Sequence, residues 1–220
     1  MKVKLILSPM QKYSVLFTLI LITLFALGMI GIRFVYSKQL LYAFLLWNLF
    51  LAWLPVAFAF LALRTHKRPL PTLAASFMWL LFFPNAPYLV TDLIHLHAYP
   101  PVPLWYDLIL LFTFAVLGLF LGLVSLYMMH GLIDGYFGRL SGWLFVLAAL
   151  GAGGLGVFIG RFLRWNSWDL FTQPLTIVND ILANLSEPRT LVISGLLALL
   201  LLFAYLIFTI DPRLTKSFFR

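Results

Sequence analysis

Trp79-Leu80-Leu81-Phe82-Phe83-Pro84-Asn85-Ala86-Pro87-Tyr88-Leu89-Val90-Thr91-Asp92-Leu93-Ile94-His95-Leu96 begins as an apolar helix and is then interrupted by two prolines. Pro84 has no N–H and disfavours helix at Phe83, so a first half-helix is expected to end there. Asn85 is a good N-cap, and Pro87 falls in the first turn of the element that follows, where its missing donor is harmless. A second, short helix is expected from about Ala86 to Leu96. On it Tyr88, Thr91, Asp92 and His95 recur at steps of three and four and share one stripe, which Tyr99 would extend. Freed N–H groups at such a break suit an anion. Non-helical backbone at membrane depth survives only when it is buried in protein or faces water.

The chain around this stretch is composed for a bilayer. Of its 220 residues 63% are apolar and 10% charged, with a mean hydropathy of +1.03. A soluble domain is roughly half apolar and a quarter charged, so a soluble enzyme, a disordered chain and a nucleic-acid-binding domain are excluded. Hydropathy marks six spans, at about 13–32, 40–63, 73–96, 104–129, 144–162 and 190–210, each near the ~20 residues that cross hydrocarbon. The third is broken at Pro84–Pro87. The expected fold is an all-α, polytopic transmembrane helix bundle, one domain over residues 1–220. The first apolar run is too long for a signal-peptide core and is expected to be a retained span. There is no cysteine, which removes disulfides, thiolate metal sites and cysteine nucleophiles.

Six spans sort the fifteen Lys and Arg residues into ten on the side of both termini and five on the other. By the positive-inside tendency both termini are expected in the cytoplasm, with the protein in the cell membrane. Only Asp134 and Asp211 join the ten. Asp92, Asp107, Asp169, Asp180 and Glu187 join Arg33, Lys38, Arg161, Arg164 and Arg189. The whole net charge of +8 therefore falls on the inner face, where anionic membrane lipids attract it and no nucleic acid is needed as a partner. The outer face is a neutral mixture of ions. Charges near hydrocarbon pair with one another or line a wet cavity, so the outer end is where a site is expected.

Three further stretches bear on it. Ala148, Ala152, Gly156 and Gly160 form a small-residue stripe on the fifth span, and Gly118 and Gly122 another on the fourth, which makes these two helices candidate neighbours. After them comes Gly160-Arg161-Phe162-Leu163-Arg164-Trp165-Asn166-Ser167-Trp168-Asp169. Continued as helix, it puts Arg161, Arg164, Trp165 and Trp168 on one face and Asn166 and Asp169 on another. Its arginines can pair with Asp92 and Asp107 or grip an anion bidentately, while its tryptophans suit the interfacial belt. From about 174 to 185, Leu175, Val178, Ile181, Leu182 and Leu185 describe an amphipathic helix lying on the outer surface, able to roof the site. Asn48, inside the second span, calls for an interhelical hydrogen bond. Asp92 and His95 share a face but are too few for a metal site, and no cofactor motif is present.

The stretches 79–96, Pro103-Leu104-Trp105-Tyr106-Asp107 and 160–169 resemble a bacterial family of multi-pass membrane proteins known as domain of unknown function 1361. The likeness runs from about the second span to the last. It implies an integral membrane protein and brings no substrate, activity or catalytic residue.

The residues themselves point to a protein that binds or transports a small anionic or lipid-headgroup ligand at an outer-leaflet polar site. Arg161 and Arg164 would hold the anion, and Asp92, Asp107 and Asp169 would orient them. Asn85, Tyr88, His95, Trp165 and Asn166 would complete the site. Two readings stay open beside it. One is an intramembrane enzyme acting on a lipid-linked substrate, with Asp92 or His95 as general base. The other is a structural subunit of a membrane complex. Six spans are few for a monomeric carrier, which favours a homo-oligomer if the protein transports. The orientation has a direct check: in this cysteine-free chain a single Asn166→Cys is expected to react with a membrane-impermeant maleimide on intact cells. Labelling only after permeabilisation would reverse the topology.

Overall fold

The structure, a computed structural model, describes residues 9–185 and 187–209, with side chains from Ser14 onward. Lys2, Lys4, Asp211, Arg213, Lys216 and Arg220, which carry part of the charge asymmetry, lie outside the described residues, as does Ile210 at the end of the sixth expected span. Nine α-helices and two short irregular helical turns make up the described chain, with no strand among them. They are α1 (Pro9–Ser37), α2 (Phe44–Thr65), α3 (Pro69–Phe82), α4 (Asn85–Thr91) with a 3-10 turn at Asp92–His95, and α5 (Leu104–Phe137). Then follow α6 (Arg139–Phe158) with a π turn at Ile159–Leu163, α7 (Asp169–Thr172), α8 (Pro174–Leu185) and α9 (Pro188–Phe208).

Six of these segments are long and apolar enough to cross a membrane: Ser14–Ser37, Phe44–Thr65, Pro69–His95, Leu104–Phe137, Arg139–Leu163 and Pro188–Phe208. The third counts as one span across its break. The fourth is longer than hydropathy suggested: at 1.5 Å per residue its 34 residues reach about 50 Å, well beyond the ~30 Å hydrocarbon layer. It stops at Gly138, whose φ of 87° is open to glycine at no cost and which alone joins α5 to α6. α2 stays helical through Pro55.

The break in the third span differs from expectation. Phe83 keeps helical angles (φ −51°, ψ −42°), and so does Pro84, which occupies the cap position meant for Asn85. What changes is the hydrogen bonding. Pro87 has no N–H to offer the carbonyl of Phe83, so Ala86 donates to it instead, at 3.2 Å. That leaves the carbonyl of Phe82 without its usual donor, and Asn85 turns its side-chain amide back to supply one at 3.0 Å. Asn85 is thus a carbonyl cap for the first half, not an N-cap for the second.

The short helix α4 sits at the middle of the bundle, against α2, α5 and α6. Glycines make room for it. A Cβ on Gly118 of α5 would lie 2.5 Å from the carbonyl oxygen of Ala86, and one on Gly156 of α6 would lie 2.4 Å from the Pro84 ring. Gly122 faces Ala86 and Pro87, and Gly160 faces the Tyr88 ring. The expected small-residue stripes therefore do not mate with each other; both receive the broken span between them. Ala148 and Ala152 belong to neither contact, because they lie on the exposed side of α6. The buried side chains form two apolar clusters. One, with Leu45, Leu89 and Leu110, unites α1, α2, α4 and α5, and the other, with Trp79, Leu126 and Leu150, unites α2, α3, α5, α6 and α9. The outward apolar residues, such as Leu196, Phe203 and Ile207 on α9, give the surface that faces lipid.

Gly118→Val is expected to lower thermal stability in detergent by the equivalent of about 1–3 kcal/mol or more, since the added carbons meet backbone that cannot move aside. Gly151→Ala, which opens onto empty space, is expected to leave stability unchanged or raise it by up to ~1 kcal/mol through helix propensity. Equal losses at both positions would mean that α4 is not clamped by α5.

Candidate functional site

The 3-10 turn after α4 keeps the expected stripe together and aims it at one cation. Arg161, on the π turn that ends the fifth span, donates from Nε to Thr91 Oγ1 at 2.9 Å and from Nη2 to Asp92 Oδ1, and its Nη1 meets His95 Nε2 at 3.0 Å. A guanidinium can only donate, so His95 Nε2 accepts and the ring carries its proton on Nδ1. The flat face of the guanidinium lies over the Tyr88 ring, 4.1 Å from its centre. The other oxygen of Asp92 accepts from Asn48 Nδ2 at 2.9 Å, the interhelical bond that Asn48 was expected to make. Asp92 is fully buried, and Arg161 has only 12% of its side chain exposed. Every donor group of Arg161 that faces the protein has a partner.

Asp107 was expected to serve the same arginines and does not. It pairs bidentately with Arg33 of α1, with Nε to Oδ1 at 2.7 Å and Nη2 to Oδ2 at 3.0 Å, both side chains fully buried. Arg33 also lies over the Tyr42 ring at 4.7 Å. Burial, reinforced by the Asp107 carboxylate, pushes the Tyr42 hydroxyl above its ordinary range, so it stays a donor; it donates to the His95 carbonyl at 3.0 Å. Through Tyr42 and His95 the two ion pairs form one structure at the same end of the bundle. Arg33 and Tyr42 were missed as members of it. The sequence put Arg33 on the same side as Asp107 but gave no sign of which acid it would meet.

Beside the Arg161 cluster lies a cavity of about 290 Å³. Its polar wall is Asn48, Asn85, Tyr88, Asn166 and Ser167. Its apolar wall includes Trp47 and Leu51 of α2, Leu80 and Leu81 of α3, and Ile177 and Ile181 of α8. The amphipathic helix does roof it: Ile177 and Ile181 face the cavity, while Leu175, Val178 and Leu182, one stripe along the same helix, point outward. Trp165 lines the cavity and is held by its indole N–H, which donates to Asp180 of α8 at 2.9 Å. Trp168 packs edge-on against Trp47 at 5.8 Å.

Helix does not continue past the π turn, which overturns the expected face of Arg161, Arg164, Trp165 and Trp168. Arg164 takes a left-handed conformation (φ 61°, ψ 28°), and its N–H and that of Trp165 both close on the Ile159 carbonyl. The chain then turns back, so that Ser167 receives a hydrogen bond from Asn85 Nδ2 at 2.8 Å and donates to the Leu81 carbonyl at 3.1 Å. Arg164 points outward and pairs with none of the acids among the described residues. Asp169 accepts from the backbone and side chain of Asn166 at 2.7 and 3.1 Å, a local clamp on the loop. Of the ten candidates, Asn85, Tyr88, Trp165 and Asn166 line the cavity, whereas Asp92, His95 and Arg161 form its frame. Asp107 belongs to the neighbouring pair, and Arg164 and Asp169 lie apart.

Among the described residues no three His, Asp or Glu side chains gather as metal ligands. Asp92 and His95 both turn to Arg161, a fixed cation already standing between them. Neither lines the cavity, so neither is placed to act as base on something bound there. The family model described as "Protein of unknown function (DUF1361)" matches residues 47–204, from within α2 to within α9. That range holds the Arg161 cluster and the entire cavity lining, but not Arg33 or Tyr42. No curated protein and no solved structure matches the chain.

Asp107→Leu is expected to destabilise the protein by about 3–5 kcal/mol, because it strands a buried Arg33, and the pair Arg33→Met with Asp107→Leu is expected to recover most of that loss. Arg164→Gly, which relieves a left-handed arginine, is expected to be neutral or stabilising. Thermal unfolding in detergent checks all three, and a mild Asp107→Leu would show that the pair is not sealed.

Proposed function

The chain belongs to this family of proteins of unknown function, and on the geometry we propose that it binds the headgroup end of a membrane lipid in the cavity between α2, α3, α6 and α8. In this reading the cavity lies at the outer-leaflet end of a cell-membrane protein whose termini are cytoplasmic. Asn48, Asn85, Tyr88, Asn166 and Ser167 meet the headgroup, and the ion pairs behind them hold the wall in place.

One observation carries the reading: the cavity is polar on one side and apolar on the other, and two of its apolar lining residues are also exposed at the surface of the bundle. Trp47 and Leu80 line it and yet are 52% and 44% exposed on the lipid-facing surface. A gap bordered by such residues admits an amphiphile sideways, tail toward lipid and head toward the amides.

Native mass spectrometry of the protein extracted in mild detergent tests this. Wild type is expected to retain lipid, and adding back the retained lipid is expected to raise its thermal midpoint. Leu51→Trp, which fills the cavity from its apolar wall, is expected to lower the retained fraction several-fold while the chain stays folded. Equal retention by wild type and Leu51→Trp would place the lipid elsewhere and end the proposal.

A further inference from the structure

The fold takes most of the hydrogen-bond donors of the cavity wall and leaves acceptors free. Asn85 Nδ2 serves the Phe82 carbonyl and Ser167. Asn48 Nδ2 serves Asp92, and Asn166 Nδ2 serves Asp169. Ser167 donates to Leu81, and Trp165 donates to Asp180. Each of these partners is a carbonyl, a carboxylate or a hydroxyl, so the amide orientations are fixed by the network. Asn48 Oδ1, Asn85 Oδ1 and the Tyr88 hydroxyl have no partner among the described residues. The sealed polar atoms that lack one are Arg33 Nη1, Trp79 Nε1 and Ser194 Oγ, so these three oxygens are open, and their residues line the cavity.

Such a wall does not suit an anion. A phosphate or carboxylate only accepts, and it would find the Tyr88 O–H and the spare amide hydrogens of Asn48 and Asn166, with no cation lining the cavity. Arg161 is neutralised by Asp92 and held under the Tyr88 ring, and Arg164 lies outside the cavity. A cation fares no better, because no carboxylate lines the cavity, and an unpaired charge brought out of water is costly. A hydroxyl meets the wall on its own terms, donating to the amide oxygens and accepting from Tyr88. The Trp47 and Trp165 side chains line the cavity beside these polar atoms.

We infer that the cavity takes an uncharged, hydroxyl-bearing headgroup, the chemistry of a sugar or polyol carried on a diacylglycerol. This rests on the lipid-binding reading above and replaces the anionic ligand expected from the arginines.

The experiment loads the purified full chain, stripped of lipid, with three probes in competition: a diacylglycerol bearing one uncharged hexose, phosphatidylglycerol and phosphatidylethanolamine. Native mass spectrometry reads the occupancy of each. The hexose lipid is expected to be retained at least tenfold more strongly than either phospholipid. Tyr88→Phe keeps the ring over Arg161 and removes only the hydroxyl, so it is expected to narrow that preference with an unchanged thermal midpoint. A preference for phosphatidylglycerol or phosphatidylethanolamine, or a Tyr88→Phe variant that discriminates as well as wild type, overturns the headgroup assignment and leaves lipid binding standing. Retention of none of the three by a folded protein overturns both.

Discussion

Pro84 and Pro87 remove two N–H donors from the middle of a span, and a low-dielectric surrounding does not tolerate the carbonyls they abandon. Much of this end of the bundle follows from meeting that demand. Ala86 shifts its N–H to Phe83, and Asn85 covers Phe82. Ser167, arriving from the far end of the fifth span, covers Leu81 and accepts from Asn85. For Ser167 to get there, the fifth span cannot run straight out into water. It loosens into a π turn, closes on a left-handed Arg164 and folds back over the break. π turns recur at functional sites because they re-aim side chains without ending the helix abruptly. Here the re-aimed side chain is Arg161.

The two buried ion pairs divide the work of fixing this arrangement. Arg161 joins the fifth span to the third, and Arg33 joins the first to the fourth. Each charge has left water, which is expensive, and attraction between partners returns that cost only where geometry is good and the remaining atoms are bonded. Asp92 meets the condition with Asn48 and Arg161; Asp107 is met by a two-pronged arginine whose remaining nitrogen, Nη1, is buried without a partner. Such pairs are weak evidence of stability in themselves, but apolar helices in lipid have many near-equivalent ways to slide and rotate. A guanidinium that matches only one carboxylate at only one depth singles out one of them. The ions, in this view, specify the register of the spans and thereby hold the cavity wall.

How much of this was legible depends on the range over which each signal acts. The six spans and the surface helix at 174–185 follow from composition and periodicity, which are local. The convergence of Tyr88, Thr91, Asp92 and His95 was legible too, because three- and four-residue steps survive the change from α to 3-10 geometry well enough to keep a stripe. What a stripe faces is a long-range property. Arg161 and Arg164 look alike in sequence, yet a single left-handed residue sends one to Asp92 and the other outward. Asp107 found Arg33, 74 positions away, which no spacing rule relates to it. Gly156 and Gly118 were correctly read as packing glycines, but their common partner, α4, is visible only when the helices are placed.

The same long-range bonding decides what the cavity presents. Asparagine in a wall reads as a two-way hydrogen-bonding group, and five polar residues near two arginines read as an anion site. Once the fold has taken both Asn85 amide hydrogens to repair a proline break, and one each from Asn48 and Asn166 to hold Asp92 and Asp169, the residues remain but present mostly acceptors. Asn85 shows the coupling most plainly: its nitrogen is the structural repair and its oxygen is left to the cavity, so one side chain serves both fold and site through opposite atoms. A position of that kind cannot be altered for one purpose without the other, since aspartate or leucine at Asn85 would expose the Phe82 carbonyl as it changed the wall. The break in the third span and the polarity of the pocket are therefore a single design, and the ligand that fits is the one that accepts what the backbone left over.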